Sequence, residues 1–296
     1  HVIVIGAGAG GLAAAADLAS AGVNVTVLER ASSAGGKMRN INVHGHPIDA
    51  GPTVFTMRWV FESLFQDAGS TLESAVSLEQ ASILARHWWT SGGQLDLDVD
   101  VETSARLIQE FANTRDAEGY KQLCADAADI FDTLRDTFMA APKPSPVSLA
   151  YRVGITRIGA LLRLRSHQTL WNSLGNYFED ARLRQLFARY ATYVGSSPLL
   201  TPATLMLITH AEQAGVWMLP DGMSSLAAAV QGLAEHNGAS FHFDTEVAGI
   251  TTHRGRASGV KLTTGEHLPA DAVIFNGDQN ALACGVLGDD VIDATS

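Results

Sequence analysis

A glycine turn set between an apolar run and an alanine-rich stretch constrains this chain more than any other feature. Residues 1–5, His-Val-Ile-Val-Ile, form a short continuous apolar run, the pattern of a strand buried on both faces in a parallel sheet. Gly6-Ala7-Gly8-Ala9-Gly10-Gly11 follows, and Leu12 to Ala21 has high helix propensity. The order predicts a tight turn at Gly6, close backbone approach to a pyrophosphate at Gly8, and close helix-on-strand packing at Gly11. The pyrophosphate would rest on the unpaired N–H groups of the helix N-terminus. Gly22 stops the helix and Val23 to Leu28 reads as a second strand. Glu29 then falls about twenty residues past the turn, where an acidic side chain accepts from adenosine ribose hydroxyls. A glycine turn alone also arises for purely structural reasons, and the residues leave open a nucleotide-free Rossmann-like domain. The spacing here is longer, running through Ala15, Leu18, Gly22, Val25 and Glu29 to a second pair, Gly35-Gly36, with Lys37 and Arg39 behind it.

That extended spacing resembles the fingerprint of the large FAD-containing family that includes amine oxidases and carotenoid desaturases. The resemblance implies FAD as cofactor. Gly35, Gly36, Lys37 and Arg39, with Arg30 beside Glu29, would bring donors and positive charge to the diphosphate. It also implies that the loop around Gly51, Pro52 and Thr53 lies against the flavin and that the main chain of Val247 meets the adenine.

At 296 residues the chain is long enough for two domains. We expect an α/β protein: a Rossmann-like FAD-binding domain over 1–77 and 215–296, and an inserted, helix-rich α+β substrate domain over 78–214. The net charge of −11 supplies no global positive field, which argues against nucleic acid as a partner. Cys124 and Cys284 lack metal-ligand spacing, and buried free thiols in a reducing compartment are expected. The ten histidines show no HxxxH or HExxH spacing, so no metal site is expected. The chain starts inside its first strand and stops just past a strand-like segment, so a longer parent protein is expected.

Along the chain, a hairpin around Gly45 and a helix from Arg58 to Ala68 precede two strands around Gly92-Gly93. His87, Trp88 and Trp89 on the first of these read as packing residues more than pocket lining. Helices follow over Thr103 to Asn113 and Ala117 to Met139. Beyond the break Pro142-Lys143-Pro144-Ser145-Pro146 come Leu149 to Leu164 and then Leu170 to Thr192. Gly215 to Leu219 reads as a strand, and Ser224 to His236 as a helix capped by Ser224 or Ser225 and closed by Gly238. The strands after it return the chain to the sheet, with Asn276-Gly277-Asp278 at a strand end, where such sheets place ligands. Tyr151 to Arg165 carries Arg152, Arg157, Arg163 and Arg165 with no acidic residue. A basic amphipathic stretch of that kind can lie on an anionic membrane; the alternative is a surface helix paired with acids elsewhere.

Taken together, Gly-Pro-Thr-Val-Phe-Thr-Met at 51–57, Arg-His-Trp-Trp at 86–89, Ala-Ala-Pro-Lys-Pro at 140–144, Arg-Tyr-Ala-Thr-Tyr-Val-Gly at 189–195, Gly-Val-Trp at 215–217 and Ile-Phe-Asn-Gly-Asp at 274–278 resemble the bacterial carotenoid desaturases. Within that family the likeness is greatest to those acting at C3–C4 of acyclic 1-hydroxy carotenoids. The resemblance implies removal of two hydrogens from a lipid-soluble carotenoid such as 1-hydroxyneurosporene, with an unidentified electron acceptor. It further implies a peripheral location on the cytoplasmic side of the inner membrane, and a further glycine-rich flavin-contacting segment C-terminal to this chain. No acid or base stands out; Thr53 and Tyr193 are candidate neighbours of the reacting carbon. A phytoene desaturase, an FAD amine oxidase and a flavin- or carotenoid-binding chain without turnover are the competing readings.

Overall fold

The apolar run forms strand β1 (Val2–Ile5), the alanine-rich stretch helix α1 (Ala9–Ser20), and the next run strand β2 (Val25–Leu28). The computed structural model describes residues 1–140, 145, 148, 164–289 and 291–292. Two compact units emerge, one built from residues 1–79 with 217–296 and the other from residues 80–216.

In the first unit a four-stranded parallel sheet has the order Ala272–Phe275, β1, β2, Ser240–His242. Alternation along β1 explains why the run is apolar throughout. Val4 joins a core with Leu12, Ala15 and Ala16 of α1 and with Leu226 and Val230 of helix Met223–His236. Ile3 on the opposite face packs with Leu28, Val260 and Leu262. Both faces of the central strand β1 are therefore covered, as the inner strands of parallel sheets require.

Several expectations are corrected here. Only Ser240–His242 and Ala272–Phe275 rejoin the parallel sheet; Val247–His253, Arg256–Leu262 and His267–Pro269 form a separate antiparallel sheet that covers its Ile3 face. Strand periodicity alone does not tell one sheet from two. The Met223–His236 helix has no serine cap: the Asp49 carboxylate accepts from the Met223 N–H at 3.1 Å, while Ser225 turns back to Gly222 O. Cys124 is buried, and burial pushes its thiol up to about 11, but Cys284 is exposed.

The second unit begins with an antiparallel pair, Ile83–Trp88 with Gln94–Asp98, in which Arg86 stands opposite Asp96 and bonds it at 2.7 Å. Helix Val101–Phe111 is capped by Asp100 and helix Thr114–Leu134 by Asn113, each accepting from the N–H three residues on. One helix over 170–192 is not formed. Instead Leu170–Leu174, Ala181–Ala188 and a 3-10 turn Arg189–Val194 follow one another. The break is tertiary in origin: the fully buried Asp116 carboxylate accepts from the Glu179 N–H at 2.6 Å and the Asp180 N–H at 3.0 Å, drawing both away from helical partners. Gly119 receives the same turn, because a Cβ there would lie 1.9 Å from Tyr177 O. Among the described residues no helix is long and apolar enough to cross a membrane.

Asp116→Ala removes a fully buried carboxylate and leaves the Glu179 and Asp180 N–H groups without their acceptor, so urea denaturation is expected to show a loss of about 3 kcal/mol. A loss below about 1 kcal/mol would mean that the turn at Glu179 holds itself.

Candidate functional site

The glycines of the first turn are there because backbone meets backbone. A Cβ at Gly11 would lie 2.0 Å from Gly6 O, and Gly6 itself has φ +97°, so neither position tolerates a side chain. Gly6 N–H donates to Leu28 O at 2.8 Å, folding the turn back over the end of β2. The second pair docks on the first: Gly35 N–H donates to Ala7 O at 2.8 Å, and a Cβ at Gly36 would stand 3.0 Å from the Gly8 Cα. Gly51 closes the set, since its Cβ would be 1.9 Å from Lys37 O. Thus the structure brings Gly6, Gly8, Gly11, Gly35, Gly36, Lys37 and Gly51 together, although 45 residues separate the first from the last.

At the carboxyl end of β2, the Glu29 N–H donates to His242 O at 2.9 Å. The Glu29 carboxylate accepts from the Ala7 N–H at 2.7 Å and the Ala31 N–H at 2.8 Å. Each oxygen keeps a further lone pair, so the clamp on the turn leaves capacity for a hydroxyl donor. Thr245 N–H donates to Glu29 O at 2.9 Å, which brings the segment leading to Val247 beside the same strand end.

The chemistry of this cradle suits an anion. Helix α1 has no side-chain cap and no acidic residue in its first turn, so its N-terminal N–H groups and dipole are unopposed. Arg30, Lys37 and Arg39 are exposed nearby in sequence, and none of them pairs with a carboxylate among the described residues. Pro52 and Thr53 are exposed on the irregular stretch that leads to Phe55, which exchanges two 2.8 Å backbone bonds with Trp217. A dinucleotide diphosphate fits this set: no Cβ at the turn, free donors, a positive dipole and a surplus of cations.

Tyr193 belongs to a different cluster, in the second unit. Its hydroxyl donates to Glu212 Oε1 at 3.1 Å, and the Tyr190 hydroxyl donates to Oε2 at 3.0 Å. Arg189 grips the same carboxylate with both terminal nitrogens, at 2.8 and 2.6 Å, and stacks over the Tyr190 ring. Burial and then the Glu212 charge hold the Tyr193 phenol above its ordinary range, so it stays protonated and donates. Burial works against the Arg189 charge, but the bonds to Glu212 outweigh it and raise the guanidinium. His87 is lowered, first by burial and then by Arg189, and is neutral at pH 7. Trp88 is exposed, whereas Trp89 packs on the core of this unit. Sequence reasoning singled out Tyr193 but missed Glu212 and Arg189, because their pairing across 23 residues has no periodic signal.

The family model described as "Flavin containing amine oxidoreductase" matches residues 9–293. A hydroxyneurosporene desaturase of Rubrivivax gelatinosus is 43% identical over 100% of this chain and 57% of its own length. Another, from Cereibacter sphaeroides, is 42% identical over 99% and 59%. This chain therefore spans less than two thirds of these curated relatives. Among solved structures, an oxidoreductase from Methanosarcina mazei superposes with a TM-score of 0.62 at 20% identity, covering 98% of this chain and 61% of that one, which shows a common fold.

Gly11→Ala is expected to abolish FAD binding in a fluorescence titration, since Gly6 O must move by more than an ångström. Gly232→Ala is the control: its Cβ meets nothing within 4 Å in a helix interior, so binding is retained and stability rises by up to about 1 kcal/mol. In the second unit, Glu212→Gln removes the counter-charge of Arg189 and is expected to cost about 3 kcal/mol in urea denaturation, against about 1 kcal/mol for Tyr193→Phe.

Proposed function

The chain belongs to the flavin containing amine oxidoreductases, its cofactor is FAD, and from that premise we propose that it carries the cofactor-binding part of a carotenoid desaturase. The reaction is C3–C4 dehydrogenation of an acyclic 1-hydroxy carotenoid, of which 1-hydroxyneurosporene is the type. The observation that carries this reading is the 43% identity sustained over the whole chain, together with a turn shaped for a diphosphate.

FAD, when bound, supplies the two-electron oxidation. The residues of this chain bind and orient. Gly6, Gly8 and Gly11 leave room for the diphosphate at the start of α1, and Gly35, Gly36, Lys37, Arg39 and Arg30 add donors and positive charge. Glu29 accepts from the ribose with the lone pairs its backbone clamp leaves free, and the Val247 main chain meets the adenine. Gly51, Pro52 and Thr53 present small groups to the flavin ring. In the second unit the Tyr193 hydroxyl, held by Glu212, is a fixed donor and has no capacity to act as a base at neutral pH.

The substrate dissolves in lipid, and a peripheral position on the cytoplasmic face of the inner membrane follows from it as part of the same reading. Its support is the basic stretch Tyr151 to Arg165, which lies outside the described residues except for Leu164 and Arg165. Leu164 is buried, and Arg165 bonds Asp126 at 2.7 Å and covers the Tyr177 ring, so the reading gives headgroup contact to Arg152, Arg157 and Arg163 and not to Arg165.

Anaerobic incubation with 1-hydroxyneurosporene on anionic liposomes, of this chain and of a version extended to the length of its relatives, tests the reading. Loss of oxidised-flavin absorbance with a red shift of the carotenoid spectrum is the expected outcome. Bound FAD that stays oxidised in both would replace it with a different substrate class or a flavin-binding chain without turnover. Equal binding to neutral and anionic liposomes would remove the role given to the arginines.

A further inference from the structure

The two strands that flank β1 each send one side chain from their carboxyl ends into the glycine turn. From β2 comes Glu29, which takes the Ala7 N–H. From the strand Ala272–Phe275 comes Asn276. Its backbone N–H continues the parallel ladder onto Ile5 O at 2.9 Å, and its side-chain Nδ2 donates to Gly6 O at 3.3 Å. Contacts with this one side chain constrain the fingerprint glycines. A Cβ at Gly8 would lie 3.0 Å from Nδ2, one at Gly10 2.7 Å from Oδ1, and one at Gly11 2.9 Å from Nδ2 and 3.2 Å from the Asn276 Cβ. Two glycines explained above by a nucleotide, Gly8 and Gly11, and Gly10 between them are thus also the space that Asn276 occupies.

The position is the topological switch point of the sheet. From β1 the chain steps to β2 on one side, while Asn276 ends the strand on the other, and open α/β sheets bind ligands in the crevice between such ends. A carboxamide suits the place. One Nδ2–H holds the Gly6 carbonyl, and the second N–H remains as a neutral donor beside an anion site.

We infer that Asn276 is a positioning residue for the FAD diphosphate: its amide pins the Gly6 carbonyl from one side as Glu29 pins the Ala7 N–H from the other, aiming the uncapped N–H groups of α1 at the phosphates. The inference rests on the FAD reading above. It differs from a packing role in one respect, that its effect falls on the diphosphate and not on the adenosine. Asp at this position would set a carboxylate against the Gly6 carbonyl and toward the phosphates, and so is worse than Ala, whereas Ser keeps a short donor.

The test is the dissociation constant of the apoprotein for FAD, ADP and adenosine, by titration calorimetry on the whole chain and on Asn276→Ala, Asn276→Asp and Asn276→Ser, with far-ultraviolet circular dichroism of each variant. Asn276→Ala is expected to weaken FAD and ADP by about tenfold, the effect of one hydrogen bond serving a charged group, and Asn276→Asp by more. Asn276→Ser should fall between wild type and Ala, and adenosine should change less than about twofold throughout. FAD and ADP affinities equal to wild type in the Ala and Asp variants would overturn the inference. So would a parallel loss for adenosine, which would mark Asn276 as packing alone. If the wild-type chain itself takes up no FAD, the cofactor reading fails, and this inference with it; a wild type that binds FAD beside variants that bind as well sinks the inference only.

Discussion

The approach of Gly11 to the Gly6 carbonyl, too close to admit a single methyl group, is the contact on which the first unit depends. It brings α1 down onto β1, which buries Leu12, Ala15 and Ala16 against Val4 and leaves the helix N-terminus open at the end of the strand. Everything else in the cradle is built on that approach. The second glycine pair hydrogen-bonds to the first, Gly51 packs on Lys37, and Glu29 and Asn276 hold the turn from the neighbouring strands. None of these partners is itself a large hydrophobe. The packing energy comes from the apolar layers on either side of the sheet, and the glycines decide how near those layers let the backbone come.

The second unit solves a different problem, that of burying carboxylates among apolar side chains. Asp116 and Glu212 are both buried, and each is surrounded by donors from distant segments: backbone N–H groups at 179 and 180 for one, and Arg189, Tyr190 and Tyr193 for the other. A buried charge with its full set of donors fixes geometry more than it adds stability. Asp116 breaks what would otherwise be a continuous helix. Glu212 holds Tyr193, a candidate neighbour of the reacting carbon, as a protonated donor in a fixed polar contact.

Legibility in the sequence followed the range of the interaction. The β1–α1–β2 unit was readable because its causes are local: an apolar run, glycines at set spacing and alanines with helix propensity. The second glycine pair and the Val247 segment were readable only through resemblance, and their meeting with the turn required the folded chain. Asn276 was recognised as a strand end, but nothing near it in the sequence shows that its amide fills the space above Gly8, Gly10 and Gly11. Two caps show the same division. Asp100 and Asn113 act only three residues away, though the sequence by itself places Asn113 inside the preceding helix, whereas the helix at Met223 is capped by Asp49, 174 residues earlier, in place of the adjacent serines.

By itself, then, the sequence determined the strand–turn–helix–strand unit, the acidic residue at its end and the flavin family, because each depends on neighbours or on spacing along the chain. The tertiary structure decided which strands join the parallel sheet, where the helix over 170–192 breaks, which carboxylates are buried and what surrounds the glycine turn. Those outcomes depend on hydrogen-bond donors and packing surfaces that meet only after folding, and no periodicity encodes which distant group will satisfy a buried charge or fill the space a missing Cβ leaves.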